Sequence, residues 1–163
     1  MALVLPDLQQ SLKDIYDKGK KGNPSPAMVG LRTGGAYLKY CSAGQNAAGF
    51  PFTAMPGSSA LGQDLGDILS KSSPAGDLTA MKMAKAFDTC LGTFLSVFQN
   101  TIITAPGLPG LQSNLQRLLK SPNPTTTSFC VDFSNYLHTY TLAAIVIGVV
   151  PDTPGIPFTG PIS

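Results

Sequence analysis

The chain has 163 residues, with 11 Lys and Arg against nine Asp, no Glu, one His and a formal net charge of +2. That length suits one domain with a real core, while charged residues at 12% are about half the share usual in globular proteins. Catalysis by tunable acids, bases or nucleophiles has little to draw on here, and so sparse a charge suits a protein packed against others.

The charge is also uneven. Every Lys and Arg lies at or before Lys120, which leaves Asp132 and Asp152 as the charges of residues 121–163. The one basic cluster, KGKKG at 18–22, has no interleaved aromatics and reads as a solvated loop, so nucleic acid is not an expected partner. The opening MALVLPD is too short for a signal h-region and runs into Pro6, which predicts a chain that is not secreted.

The first element is LQQSLKDIY at 8–16. Leu8, Leu12 and Ile15 fall at i, i+4 and i+7, one apolar stripe on a short amphipathic helix. A Ser/Pro break, NPSPA at 23–27, precedes a longer helical pattern with Leu31, Tyr37, Leu38, Tyr40 and Cys41. Gly30, Gly34 and Gly35 weaken that helix by about 1 kcal/mol each relative to Ala. GLRTGGAYLK at 30–39 fits neither GxxxxGK[ST] nor GxGxxG, so it reads as a loosened helix or turn, not a phosphate cradle. GFPFTAM at 49–55 is an extended return that ends at Pro56-Gly57.

The same order follows again. LGQDLGDIL at 61–69 carries Leu61, Leu65 and Ile68, with Asp64 and Asp67 on the solvent face. Calcium requires more oxygen ligands and a Gly-bent loop, so these carboxylates with Asp77 read as a solvated face. After SSPAG at 72–76, Asp77 is the expected helix cap. Phe87, Cys90, Leu91, Phe94, Leu95 and Phe98 then recur at three- and four-residue steps as a buried face. NTIITA at 100–105 returns the chain to Pro106-Gly107.

A third pass opens with LQSNLQRLL at 111–119 and Leu111, Leu115 and Leu118. SPNPTTT at 121–127 breaks it, and Thr125 to Ser128 offer caps to a helix with Phe129, Phe133, Tyr136, Leu137, Tyr140 and Ala144. His138 stands 16 residues before Pro154-Gly155, as Cys90 stands before Pro106-Gly107, so the position reads as packing rather than catalysis. AIVIGVV at 144–150 is extended or continues the helix. The apolar run 142–150 is nine residues, against about 20 for a membrane span, and stops at Pro151.

The chain therefore reads as mainly α, one domain over 1–163. Three tandem helical-hairpin units of about 50 residues, 8–57, 58–107 and 108–155, have short extended returns, and 156–163 forms an extended C-terminal arm. Cys41, Cys90 and Cys130 show no CxxC spacing, and with one His they cannot form a zinc set; they read as buried, reduced thiols. No catalytic, metal or cofactor-binding residue is expected, and no small-molecule substrate. The expected interaction residues are Phe50 and Phe52 in the first return and Ile156, Phe158 and Ile162 in the arm, which reach neighbours through apolar contacts and backbone pairing.

The leucine triplet, Ser/Pro turn, long helix such as MKMAKAFDTCLGTFL at 81–95, Thr/Ile-rich return and Pro-Gly resemble small helical structural proteins of large tailed bacteriophages. That resemblance implies a non-enzymatic virion component of the tail, neck or baseplate, assembled in the host cytoplasm. Its partners would be other virion structural proteins and copies of itself, and it carries no functional residues across. The alternative is a free helical adaptor or assembly chaperone that binds one partner protein. A membrane-active role for 142–150 is opposed by its length and by Pro151.

Overall fold

The computed structural model describes residues 3–17, 22–71, 76–96, 102–122, 125–150 and 155–163. Most of the KGKKG cluster, Phe98 and Pro154 of the last Pro-Gly pair lie outside them.

Six helices and five short strands alternate along the described chain. The helices are α1 (Leu5–Tyr16), α2 (Pro26–Cys41), α3 (Ser58–Ser70), α4 (Gly76–Leu91), α5 (Leu108–Lys120) and α6 (Thr126–Leu142). The strands are β1 (Phe52–Ala54), β2 (Leu95–Ser96), β3 (Ile102–Thr104), β4 (Ile145–Val150) and β5 (Ile156–Pro161). The protein is thus mainly helical with small antiparallel sheets.

Local chemistry sets several helix starts. Ser25 accepts a hydrogen bond from the Met28 N–H and Pro26 follows it, so α2 opens with one free donor satisfied and one removed. Thr125 caps α6 by accepting from the Ser128 N–H at 3.1 Å. Asp77 is not a cap: it lies inside the first turn of α4, where its carboxylate pairs with Lys120 at 2.6 Å. Both groups are exposed, so this pair contributes little.

Each helix packs against the next in sequence, and α6 packs back on α1, so the six form a closed ring. The leucine triplets face its interior. Leu8, Leu12 and Ile15, Leu61 and Leu65, and Leu111, Leu115 and Leu118 are buried, with Ile68 half-buried against the same core. The longer helices meet them through aromatics: Tyr37 and Phe87 have ring centroids 5.0 Å apart, and Phe87 and Phe133 5.9 Å apart, both edge to face.

The glycines of α2 have another purpose than the sequence suggests. The 30–39 segment is regular helix, neither loosened nor turned. A Cβ on Gly30 would stand 2.3 Å from the Gly66 nitrogen and 2.4 Å from the Gly62 oxygen, and one on Gly34 would stand 2.9 Å from the Ser58 oxygen. Gly30 and Gly34 are therefore the surface on which α2 and α3 meet backbone to backbone. That turns Leu31, expected on the buried face, outward to 49% exposure.

The strands lie between α2 and α3, between α4 and α5, and after α6. β1, just before α3, pairs antiparallel with β2, just after α4; β3, before α5, pairs with β4, after α6. After α2, Gln45 exchanges backbone hydrogen bonds with Ser163, N to O at 2.8 Å and O to N at 3.0 Å. AIVIGVV is thus extended rather than helical. The 156–163 arm is not free: β5 pairs along β4, from Val150 with Ile156 to Ile145 with Pro161.

Candidate interaction surface

The strands and the turns around them gather at one end of the helices. Residues 43–57, 92–96, 102–107, 143–150 and 155–163, which build that end, contain no Asp, Glu, Lys or Arg; Asp152, between β4 and β5 in the sequence, lies outside the described residues. Every charged side chain among the described residues lies on a helix or next to a helix end.

β4 alternates strictly. Val146 and Gly148 are buried, while Ile147 and Val149 point outward at 44% and 42% exposure. Their cross-strand neighbours on β5, Thr159 and Pro157, are exposed too, so two adjacent strands present one apolar, uncharged face. Ile156, at 59% the most exposed large apolar residue among the described residues, pairs with Val150 and adds apolar surface on the other side of the strand pair, where it leaves the core.

The expected interaction residues divide. Ile156 is exposed, Phe50 is half-buried, and Phe158 is half-buried against the core. Phe52 and Ile162 belong to the core instead. The Phe52 ring stands edge to face with Phe94 at 4.4 Å, and Ile162 is 2% exposed, with its N–H bonded to the Ala144 carbonyl. Phe50 and Phe52 flank the isolated bridge from Pro51 to Gln45, and Phe52 opens β1 while Phe50 closes the preceding turn. The two segments expected to reach outward, 45–57 and 156–163, reach each other through Gln45 and Ser163. Ile147 and Val149 were missed; the signal for them was the alternation in AIVIGVV once it is read as a strand.

Polar groups buried between the long helices are tied to one another. The Tyr37 hydroxyl is 2.8 Å from the Thr141 hydroxyl, Tyr140 donates to Asp88 at 2.6 Å, and the Tyr40 hydroxyl is hydrogen-bonded to His138 Nδ1. Burial raises all three tyrosines and lowers His138, which keeps the hydroxyls protonated and favours neutral imidazole. No nucleophile stands beside this His. The three thiols are buried, and burial pushes Cys130 up to about 11 and Cys90 to about 12, which makes them poor nucleophiles and poor ligands.

Among the described residues no group of three or more His, Cys, Asp or Glu is placed to hold a metal, and no helix is long and apolar enough to cross a membrane. A groove of about 350 Å³ runs between α3 and α4, with Asp64 and Asp67 on one wall, Lys82 and Lys85 on the other, and Ile68 and Leu78 between them. It is open to solvent. No protein-family model matches the chain, and no curated protein or solved structure matches it.

Proposed function

We propose that this chain is a non-enzymatic structural protein that assembles with copies of itself and with other subunits, as a component of a virion tail, neck or baseplate. The observation that carries the assembly reading is the uncharged end with Ile147, Val149 and Ile156 exposed on it. Apolar surface free of charge marks a place where a partner covers the protein. The virion setting rests on the resemblance of the leucine-triplet modules to phage structural proteins.

The body behind this end is read as three tandem hairpins, α1–α2, α3–α4 and α5–α6, each with its extended return. Equivalences at an interval of 50 residues support that reading. Tyr40, Cys90 and Tyr140 fall together, as do Leu38, Asp88 and His138. Tyr40 to His138 and Tyr140 to Asp88 are then the same contact made twice around the ring, and Cys90 with Leu38 is its apolar third. On this register His138 corresponds to Asp88 rather than to Cys90.

Light scattering after size exclusion, across a wide dilution series, tests the assembly reading. A discrete oligomer that Ile147→Lys with Val149→Lys converts to monomer supports it, because both side chains point away from the core. A wild-type monomer at every concentration that also fails to co-sediment with purified particles overturns it and leaves the adaptor reading.

A further inference from the structure

β5 is attached in an unusual way. Its pairing is with β4, its last residue before Ser163 inserts into the core, and the helical ring is already closed by α1 against α6 without it. Removing β5 from its slot would unpair one edge and uncover Ile162 while the helix contacts stay in place.

The two edges of β5 differ. Ile162 donates to Ala144 on the β4 side, so strand alternation puts the N–H groups of 156, 158 and 160 on that side as well. Residues 157, 159 and 161 then face away from β4. Two of them are Pro157 and Pro161, which have no N–H, and Ser163 is taken by Gln45. An incoming strand finds only the Thr159 donor between Ile156 and Pro161, so the outer edge is blunted against strand addition.

The inner edge is the opposite. It pairs with β4 from Val150 to Ile145, and Ile162 fills the core beyond it; the segment after α2 also closes on β5, where a Cβ on Gly160 would stand 2.5 Å from the Ala47 Cβ, so that position accepts a bare backbone. Val150, the end of β4, precedes Pro151, which biases it toward the extended backbone that a strand continuing outward requires.

We propose that β5 is exchanged between copies, each chain inserting residues 156–163 along β4 and against Gln45 of another. The occupant of the slot is this chain's own strand, so complementarity in trans is the complementarity already present in cis, which makes exchange a low-cost route to an oligomer. This rests on the self-association reading above and names its contact.

Ile147 and Thr159 are opposed on the exposed face in a pair of the non-hydrogen-bonded kind, whose Cα separation of about 4.5 Å suits a disulfide. Full-length Ile147→Cys and full-length Thr159→Cys are mixed, refolded together and oxidised. Exchange yields a covalent heterodimer linked 147 to 159, located by peptide mass analysis. The double variant oxidised alone yields covalent dimer as well as internally closed monomer. Closed monomer alone from the double variant, with no heterodimer from the mixture, overturns exchange. If light scattering of that mixture still shows oligomer, the assembly reading stands on another contact; if it shows monomer, both fall.

Discussion

Gly30→Ala and Gly35→Ala are the same chemical change on one helix, five residues apart, and the structure assigns them opposite signs. Each gains about 1 kcal/mol of helix propensity. For Gly35 nothing lies within 4 Å of the new Cβ and the site is exposed, so the gain survives. For Gly30 the Cβ meets the Gly66 nitrogen at 2.3 Å, the Gly62 oxygen at 2.4 Å and the Gly66 Cα at 2.8 Å, against 3.4–4 Å for ordinary contact.

Those atoms are helical backbone and cannot rotate away, so α2 and α3 have to separate by about 1 Å. A gap of that size forfeits a quarter to a half of each dispersion contact along the crossing. Overpacking of this kind costs about 1–3 kcal/mol and here belongs at the upper end. The net expectation is a loss of about 2 kcal/mol for Gly30→Ala beside a gain of up to about 1 kcal/mol for Gly35→Ala. Urea unfolding measures both, with an unchanged slope showing that the comparison is of stability alone. A Gly30→Ala protein as stable as wild type would refute the close crossing of α2 and α3.

Other outcomes follow from the core and its ionisable groups. Phe94→Ala removes a side chain 2% exposed and paired with Phe52, and should cost about 3–5 kcal/mol in the same assay; under 1 kcal/mol would place that ring outside the core. The folded-state pKa of His138 lies below its unfolded value of about 6.5, so its contribution is complete at neutral pH. That contribution is lost as pH falls through the window below about 6.5. Thermal unfolding from pH 7 to 5 should slope downward, and less so in His138→Asn, whose side-chain oxygen can still meet Tyr40. A thiol reagent at pH 8 should leave native Cys41, Cys90 and Cys130 unmodified and label all three in denaturant.

The short helices were legible in the sequence because their stripes are decided by burial alone: Leu12, Leu65 and Leu115 recur at spacing that fits only one face. α2 was not, because propensity records glycine as a local loss, whereas at Gly30 and Gly34 the gain comes from another helix that no local pattern reveals. The C-terminal segment was legible as extended, but its pairing along β4 was not, because of its prolines. Pro157 and Pro161 argue against a strand unless their missing donors fall on an outer edge, and that depends on register, which sequence does not print. Phe52 and Phe50 were grouped by residue type, while the packing of Phe52 on Phe94, which lies 42 residues away in sequence, separates them.

The uncharged end gives the molecule a polarity that matters at any boundary between water and an apolar phase. Among the described residues the charges sit on the helices and at their ends, away from the strands, which makes each copy a small amphiphile. At the air–water surface of a thin film it should adsorb with Ile147, Val149 and Ile156 toward the air. Images recorded from such a film would then be dominated by views down the axis of the helical ring.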